Sequence, residues 1–273
     1  MTISIVIANW NTKSLIEDCV NSIFSSTPFS EVNYEVIIID NASTDGSREY
    51  LRSLNDKITL IENDTNVGYA KACNQGMKIS KGKYILLLGS DTIMNKGTLK
   101  TCADFLDATP DAGAVSCKLL NPDGSIQNSL KKFPKLKNAF YTYLSFDKLN
   151  REYDMSDFDY DSTCEAEQAA ATFLMIRNDL LKEISYFDES YRILYNDVDL
   201  CSRIWKAGYK IYFLHTASII HYGSHSTKNA DFALRKIMYS DIYRYYSKHF
   251  GFKAKFLYPI LAFRLIVVST IKA

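Results

Sequence analysis

Two aspartates follow apolar runs that are typical of buried strands. Residues 35–39 lead into Asp40, and residues 83–88 lead into the short polar segment that contains Asp91. A continuous apolar run of this length is typical of a strand buried on both faces of a parallel sheet, and a polar residue just beyond it lies at the carboxyl edge. Open α/β folds bind ligands at that edge. The two carboxylates therefore predict a site for a nucleotide and a metal ion.

Asp40 has the chemistry needed to recognise a pyrimidine base. Its carboxylate can accept the imide hydrogen of uracil or thymine. Ser43, Thr44 and Asp45 can cap the helix that follows and leave its amino terminus facing a diphosphate. The same residues also fit a capped turn without a ligand, and the segment alone does not separate the two interpretations.

A second loop, at residues 63–70, carries groups that can approach a nucleoside. Gly68 permits close backbone contact because it has no side chain, and Asn66 and Asn74 carry amides on either side of it. These residues would then contact the nucleotide. The alternative is a loop that only turns the chain.

Asp91 and His221 are the predicted metal ligands. Mg²⁺ and Mn²⁺ prefer oxygen ligands, and an aspartate beside a hydroxyl residue such as Thr92 can hold either ion against a diphosphate leaving group. His221 ends an apolar run and can supply a further contact to the metal or the phosphate. A single histidine also fits a purely structural hydrogen bond. The expected cofactor is Mg²⁺ or Mn²⁺.

Asp197 is the candidate catalytic base. It lies in the first turn of a helix predicted over residues 196–207, where the helix dipole favours an ionised carboxylate. A charged carboxylate close to an acceptor hydroxyl can take its proton. Acidic residues in a first turn are also ordinary caps, so the position alone fits both a base and a cap.

Alternating strands and helices would position these groups. Strands are predicted at 3–9, 35–40, 58–62 and 83–88, with helices between them and at 96–108. This alternation predicts an α/β fold with a doubly wound, mostly parallel sheet. Later strands are predicted at 112–120, 169–177, 210–214 and 217–222, and later helices at 178–184 and 196–207. Residues 127–161 give weak signals and are predicted to form a mobile loop.

The composition fits a globular protein. The chain has 273 residues, 47% of them hydrophobic, which is enough for one large domain or two intimate lobes. The formal net charge is +1, so no overall field attracts nucleic acid, and charged substrates must be handled by local groups. The six cysteines form no Cys-x-x-Cys pair, which favours reduced thiols in a cytoplasmic protein. Residues 1–9 are typical of a first strand rather than a signal peptide.

An apolar segment near the carboxyl terminus is punctuated by basic residues. Residues 256–271 are nearly all apolar but contain Pro259 and Arg264, and the run is shorter than the about 20 residues that a membrane-spanning helix requires. Its basic and aromatic flanks suit a segment lying on an anionic membrane, so we expect peripheral membrane contact through residues 252–273. The alternative is a terminal helix docked on the protein's own core or on a second copy in a homodimer.

Taken in chain order, the motifs resemble glycosyltransferase family 2, of GT-A fold, and within it the rhamnosyltransferase-like members. The resemblance covers about residues 3–226. The matching segments are residues 3–11, 39–46, 66–74, 87–92, 120–125, 187–189 and 196–200, and then the segment 221–226. Each motif alone has low specificity, whereas the ordered set is specific.

The resemblance implies roles for individual residues. Asp197 would be the catalytic base, and Asp91 would be the metal-binding aspartate, with His221 as a further metal ligand. The nucleotide-sugar donor would be bound by Asn9, Asp40, Asn66, Gly68, Asn74 and Ser90. Two positions depart from the family's pattern: Gly89 stands where an acidic residue or asparagine is usual, and Asn196 replaces the usual glutamate. Neither departure removes an essential carboxylate.

The residues and the resemblance together predict an inverting, metal-dependent glycosyltransferase in cell-surface polysaccharide synthesis. The expected donor is dTDP-rhamnose, and the expected acceptor is a saccharide or a lipid-linked saccharide. The alternatives are a transferase that uses a UDP-hexose donor and a non-catalytic nucleotide-sugar-binding subunit. Residues 1–100 would bind the nucleotide sugar, residues 101–226 would form the acceptor-binding and catalytic half of the same domain, and residues 227–273 would be a helical carboxyl-terminal segment. We expect a cytoplasmic protein at the inner face of the cell membrane.

Overall fold

The fold is described from a computed structural model, which covers residues 2–26, 32–223 and 232–271, with side chains of the last segment up to residue 266. The strands are β1 (Thr2–Asn9), β2 (Asn33–Asp40), β3 (Thr59–Glu62), β4 (Tyr84–Gly89), β5 (Thr92–Met94), β6 (Ala112–Leu120), β7 (Leu130–Lys131), β8 (Cys164–Glu165), β9 (Gln168–Ala169), β10 (Phe173–Arg177) and β11 (Lys210–His221). The helices are α1 (Lys13–Ser26), α2 (Ser47–Ser53), α3 (Tyr69–Ile79), α4 (Thr98–Ala108), α5 (Leu136–Tyr143), α6 (Arg151–Asp154), α7 (Asn178–Glu183), α8 (Asn196–Lys206), α9 (Phe232–Phe250) and α10 (Tyr258–Ile271). Short 3₁₀ segments lie at Asn55–Lys57, Asp147–Asn150 and Gly251–Leu257.

One mixed sheet runs through the described chain in the order β3-β2-β1-β4-β10-β6-β11-β5, with β8 paired to β11. Strands β3, β2, β1 and β4 are parallel, as the alternation of strands and helices predicts. Strand β10 then inserts antiparallel between β4 and β6, and β11 pairs with β6 in parallel. The carboxyl ends of β1, β2 and β4 therefore meet at one edge of the sheet.

Helices cover both faces of the sheet because successive strand residues point to opposite sides. On one face, Leu86 and Leu88 of β4 pack with buried residues of α1 and α4. On the other face, Ile85 and Leu87 pack with buried residues of α3, α7 and α8. The sheet is thus apolar on both faces, and the predicted α/β fold is confirmed.

The carboxyl-terminal helices form a third, smaller core. Ile242 and Tyr246 of α9 are buried together with Leu257 and Leu261, and they pack against Ala139 of α5. This segment is therefore docked on the protein's own domain through one of its faces. None of the described helices is long and apolar enough to cross a membrane.

Three sequence predictions differ from the structure. Residues 127–161 contain β7, α5 and α6 rather than a long loop, because α5 packs in the core of the carboxyl-terminal helices and β7 pairs with β9. The strand predicted at 169–177 is broken at residues 170–172. The strands predicted at 210–214 and 217–222 are one strand, β11, whose pairing with β6 shifts register between Leu214 and Ser218.

Candidate active site

A cavity of about 430 Å³ lies at the carboxyl edge of the sheet. Its wall comes from the ends of β1, β2 and β4, the loop before α3, the break before β10 and the start of α8. Among the predicted site residues, the cavity is lined by Asn9, Asn66, Gly68, Ser90, Asp91, Asp197 and His221. The fold thus brings together groups that are far apart in the sequence.

Asp40 lies behind the cavity wall instead of facing a ligand. Its side chain is fully buried, and its carboxylate accepts hydrogen bonds from Arg48 Nε at 2.8 Å, Asn9 Nδ2 at 3.0 Å and the Ser43 backbone nitrogen at 2.9 Å. Burial alone would raise the pKa of this carboxyl, but the hydrogen bonds from Ser43 and Arg48 hold it below its ordinary value. With its oxygens engaged in this way, Asp40 fixes the end of β2 and does not reach the cavity where a base would bind.

The next residue, Asn41, lines the cavity, whereas Asp40 is not among its lining residues. Asn41 donates to Asn66 Oδ1 at 2.9 Å and accepts from the Val67 backbone nitrogen at 2.9 Å. Asn66 also accepts from the Gly68 backbone nitrogen at 2.9 Å. The two amides hold the loop before α3 against the sheet edge. The signal for Asn41 was available, since it is the first residue beyond the strand.

Gly68 is needed for its backbone conformation and for a close approach. Its φ is +90°, and a Cβ atom there would lie 3.2 Å from the backbone oxygen of Arg192. The Tyr69 nitrogen donates to the same oxygen at 3.1 Å, so the start of α3 is docked on the loop that precedes α8. Substitution by a larger residue would strain this junction.

Asn74 does not lie at the cavity, contrary to the sequence expectation. It is buried on α3, where its amide donates to the Phe187 oxygen and to Glu189 Oε1, each at 3.0 Å, and accepts from the Phe187 nitrogen at 3.0 Å. Its role is to fix the segment before α8. The sequence could not show this, because the partners lie 113 and 115 residues further along the chain.

Asn9 and Ser90 are linked through Thr12. The Thr12 hydroxyl lies 2.6 Å from Asn9 Oδ1 and 3.1 Å from Ser90 Oγ. All three residues line the cavity. This chain of hydrogen bonds joins the end of β1 to the end of β4 and fixes the segment that carries Asp91.

Asp91 and His221 face each other across the cavity floor. Their nearest side-chain atoms, Asp91 Oδ2 and His221 Nε2, are 3.4 Å apart. Gln127 donates its amide hydrogens to the His221 backbone oxygen and to Asn121 Oδ1, each at 2.7 Å, so its Oε1 must accept from His221 Nδ1 at 2.8 Å. In the neutral ring this leaves the lone pair of Nε2 directed at a carboxylate oxygen.

Two acceptors placed so close together favour a cation that both can contact. A proton on Nε2 would satisfy the pair, and so would a divalent ion bound by both groups. The described residues contain no cluster of three acidic, histidine or cysteine side chains that could hold a metal alone. Mg²⁺ and Mn²⁺ sites in phosphate-handling enzymes often use one or two protein groups, with substrate phosphate and water completing the shell, and Asp91 with His221 fits that kind of site.

Asp197 lies between this cavity and a second one. The second cavity, of about 600 Å³, shares Asp197, Thr172 and His221 with the first. Burial raises the pKa of the Asp197 carboxyl above its ordinary value, although backbone hydrogen bonds from Val198 and Ala171 partly oppose the shift. The helix dipole expected from sequence is therefore outweighed by desolvation. A carboxylate with a raised pKa is a better proton acceptor.

The second cavity is polar and aromatic. Its wall includes the side chains of Gln127, Ser129, Lys131, Tyr143, Tyr153, Gln168, Tyr195 and Tyr246. The Ser129 hydroxyl is buried without a hydrogen-bond partner in the described part of the chain. Tyrosine rings with amide and hydroxyl groups suit a ligand that has apolar faces and hydroxyl edges, as sugars have.

Helix α9 holds the loop that leads to Asp197. The buried carboxylate of Asp241 accepts the backbone nitrogens of Arg192, Ile193 and Leu194 at 3.2, 2.8 and 3.0 Å. Tyr195, the residue before α8, has a φ of +64°, and its ring lies 4.7 Å from that of Tyr245 on α9. Packing against α9 thus stabilises a backbone conformation that is uncommon for a side-chain-bearing residue.

Asp199 is part of the structural framework and not of the cavity. Its side chain is buried and binds Arg203 Nε at 2.8 Å and Lys248 Nζ at 2.7 Å. Burial would raise the pKa of Asp199, but the nearby side chains of His249, Lys248 and Arg203 lower it far below the ordinary value. This buried ion pair fastens α8 to α9.

The two departures from the family pattern have local explanations. A Cβ atom on Gly89 would lie 2.9 Å from Asp91 Oδ1, so the glycine leaves room for the Asp91 side chain in its present orientation. Asn196 is buried, accepts the Asp197 nitrogen at 2.7 Å and donates to the Ile193 oxygen at 3.3 Å. It therefore closes the loop that Asp241 holds. Residues 224–226, which complete the matched segment around His221, lie outside the described residues.

Solved structures with a similar fold include a glycosyltransferase with a bound nucleotide sugar. The crystal structure of Staphylococcus aureus TarS 1-349 in complex with UDP-GlcNAc matches with a TM-score of 0.58 and 22% identity, covering 88% of this chain and 65% of that one. At this identity the match shows the fold alone. The fold is the GT-A fold that the resemblance implied.

Two curated relatives are rhamnosyltransferases. An N-acetylglucosaminyl-diphospho-decaprenol L-rhamnosyltransferase of Mycobacterium tuberculosis is 24% identical over 211 residues, which are 70% of this chain and 67% of the relative. The rhamnosyltransferase WbbL of Escherichia coli K12 is 22% identical over 220 residues, which are 78% of this chain and 82% of the relative. The family model described as glycosyl transferase family 2 matches residues 4–169, more than half of the chain. The protein therefore belongs to glycosyl transferase family 2.

Proposed function

We propose that the protein is an inverting, metal-dependent glycosyltransferase that moves a sugar from a nucleoside diphosphate donor onto a saccharide acceptor. The observation that carries this proposal is the position of Asp197, which lies in the wall shared by two cavities. The first cavity would hold the donor and the second the acceptor. A single carboxylate between them is placed to take a proton from one substrate as it attacks the other.

The first cavity has groups suited to a nucleotide diphosphate. Asn66 is exposed at the sheet edge, where its amide nitrogen can donate to a carbonyl oxygen of a pyrimidine base, and Asn41 holds the Asn66 amide in place. Asp91 and His221 would hold Mg²⁺ or Mn²⁺, which would neutralise charge on the diphosphate leaving group. The base would thus lie near β2 and the diphosphate near β4.

Asp197 would act as general base in a single displacement. The acceptor hydroxyl oxygen forms a bond to the anomeric carbon while the bond from that carbon to the diphosphate oxygen breaks. The hydroxyl proton passes to Asp197, and the nucleoside diphosphate leaves with the bonding electrons. Attack from the face opposite the leaving group inverts the anomeric centre. Charge balance is kept, because the carboxylate gains the proton that the acceptor loses.

The donor that we favour is dTDP-rhamnose. Support comes from the two rhamnosyltransferases among the relatives, which match 70% and 78% of this chain. A UDP-hexose donor is the alternative, since TarS has been solved with UDP-GlcNAc. Turnover of a panel containing dTDP-rhamnose, UDP-glucose and UDP-GlcNAc, with and without Mn²⁺, tests the choice. We expect dTDP-rhamnose to be hydrolysed fastest, and preferential use of a UDP-sugar would overturn the donor assignment.

The acceptor that we favour is a saccharide carried on a lipid, in the synthesis of a cell-surface polysaccharide. The Mycobacterium tuberculosis relative is named for a diphospho-decaprenol substrate, which supports this class. The reaction would then take place in the cytoplasm at the inner face of the membrane. Transfer to a short-chain prenyl-diphosphate saccharide is the direct test, and transfer only to water-soluble glycans without a lipid would contradict it.

A non-catalytic donor-binding subunit is the alternative from another class. It is disfavoured because both Asp91 and Asp197 line the same cavity, whereas a binding protein needs no general base. The donor panel also separates these alternatives. Nucleotide-sugar binding by calorimetry without any turnover, in the presence of Mn²⁺ and acceptor, would favour the binding protein.

A further inference from the structure

Two separate segments of the chain expose large apolar side chains. The segment after α5 exposes Leu144, Phe146 and Leu149. The carboxyl-terminal segment exposes Phe252, Phe256, Tyr258, Phe263 and Ile266. Phe252 and Phe263 are 69% and 68% exposed. Grouped exposed apolar side chains of this kind often mark an interaction surface. We refer to these eight residues together as the apolar face.

The two segments are joined in space by Arg264. Its Nη1 donates to the Tyr143 backbone oxygen and to Ser145 Oγ, each at 3.1 Å. Phe263 and Ile266 are therefore carried beside the segment 144–149. This contact brings exposed apolar residues of the two segments near one another.

The apolar face is distinct from the surface that docks the carboxyl-terminal helices on the domain. That docking already uses Ile242, Tyr246, Leu257 and Leu261, which are buried. The exposed residues of the carboxyl-terminal segment lie on the 3₁₀ segment Gly251–Leu257 and on α10, but they are not part of this core. Among the described residues, 2–26, 32–223 and 232–271, none covers the apolar face.

Charge is distributed unevenly along the chain, and this distribution indicates what kind of surface the apolar face binds. Residues 232–273 contain eight Lys or Arg and a single acidic residue, Asp241, whereas residues 1–231 contain 24 Lys or Arg and 30 Asp or Glu. Asp241 is buried, so the described surface of the carboxyl-terminal segment carries basic groups without acidic ones. Lys253 and Lys255 are exposed between the aromatic residues, whereas between Phe146 and Leu149 the exposed Lys148 is balanced by the exposed Asp147.

An apolar face with this charge fits an anionic bilayer better than a second copy of the chain. A twofold dimer through the face would bring two sets of positive charges together, because the same patch meets itself. An anionic membrane instead attracts the lysines and accepts the aromatic and aliphatic side chains at its interface.

We propose that the apolar face is a docking surface for an anionic lipid bilayer. Docking would also place the second cavity at the membrane, because Thr142, Tyr143 and Asp147 line that cavity and adjoin Leu144 and Phe146. This second statement rests on the proposed function, since it assumes that the cavity receives an acceptor. The proposed membrane contact does not depend on the proposed function.

Co-sedimentation of the full chain with vesicles tests the proposal. We expect binding to phosphatidylglycerol vesicles, little binding to pure phosphatidylcholine vesicles, and weaker binding in high salt. Substituting Phe146→Ser together with Leu149→Ser should weaken partition at least about tenfold, and so should Phe252→Ser with Phe256→Ser. The matched control is Ile79→Ser, because Ile79 is an apolar residue that is 45% exposed outside the face.

Point substitutions are preferable to deletion, since removing residues 252–273 would also remove the buried Leu257 and Leu261. Thermal unfolding and turnover of the nucleotide-sugar donor are measured on each variant. Retained turnover with lost vesicle binding supports the proposal, whatever the acceptor. Equal binding by wild type and both double variants would overturn it. Absence of vesicle binding, or a dimer that the same substitutions abolish, would also overturn it. Absence of turnover in every sample would contradict the proposed function alone.

Discussion

The Asp241 carboxylate of α9 lies 2.8 Å from the backbone nitrogen of Ile193, and it also accepts the nitrogens on either side. Three consecutive N–H groups on one buried carboxylate fix the path of a loop that lines both cavities. The loop ends at Tyr195, directly before Asn196 and Asp197. Asp241, which lies 44 positions beyond Asp197 in the chain, therefore fixes the position of this candidate base.

Asp241→Asn should lower turnover more than it lowers donor affinity. The asparagine amide keeps one acceptor oxygen but places a donor against a backbone N–H, which leaves a buried group unsatisfied at a cost of about 1–3 kcal/mol. Displacement of the loop by a fraction of an ångström would misplace Asp197, so we expect kcat to fall about tenfold or more with KM for the donor within a few-fold. Steady-state kinetics measure both. Asp188→Asn is the control, because the Asp188 carboxylate binds Lys248 of the same helix and the Ser190 nitrogen but none of the three nitrogens that Asp241 holds. Similar losses in the two variants would show that only stability is affected.

Asp197→Asn should abolish transfer while leaving donor binding nearly intact. The substitution keeps the shape of the side chain and removes the proton acceptor, and general-base catalysis contributes on the order of 10²–10⁴-fold. Transfer assays give the loss, and calorimetry with the nucleoside diphosphate gives the binding. Asp147→Asn, which changes another acidic residue of the second cavity, serves as the matched control. Transfer within a few-fold of wild type would remove Asp197 from this role. Asp199 would not replace it, because its carboxylate is buried against Arg203 and Lys248.

Activity should require a divalent cation at Asp91 and His221. EDTA should abolish transfer, and Mn²⁺ or Mg²⁺ should restore it, because the diphosphate leaving group carries charges that these two side chains alone do not neutralise. Asp91→Asn should raise the metal concentration needed for half-maximal activity by about tenfold or more. Metal titrations of activity, with direct Mn²⁺ binding followed by electron paramagnetic resonance, check the shift. Full turnover in chelator would show that cationic side chains neutralise the leaving group instead.

The strand and helix pattern of the first 108 residues could be predicted from sequence because local signals determine it. Apolar runs place β1, β2 and β4 within two residues of their observed bounds, whereas the short strand β5 was not predicted. The positions of Asp91 and Asp197 at the ends of such elements follow directly. Both residues therefore reach the cavity as expected.

What the sequence could not reveal depends on contacts between distant segments. Asp40 and Asn41 are adjacent, and only the partners of Asp40, among them Arg48, show which of the two faces the cavity. Asn74 is engaged by Phe187 across the domain. Helix α5 is short, and its buried residue Ala139 packs in the core of the carboxyl-terminal helices, so its own sequence gave little signal. Local patterns specify elements, whereas the direction of a polar side chain is decided by tertiary partners.

The acid limb of the pH–rate profile should lie above the range of an ordinary aspartate. Asp197 must be deprotonated to accept the acceptor's proton, and burial raises its pKa from an ordinary value of 3.8. As the pH falls through this raised pKa, the carboxylate is protonated and kcat/KM falls. Activity is therefore lost at a higher pH than it would be if the base were a solvent-exposed aspartate. The profile of kcat/KM between about pH 3 and pH 8, which includes the usual aspartate and histidine values, measures the limb. The Asp147→Asn control should keep the same limb, and the residual activity of Asp197→Asn should lack it. A limb at or below 3.8 in the wild type would show that Asp197 is not desolvated during catalysis.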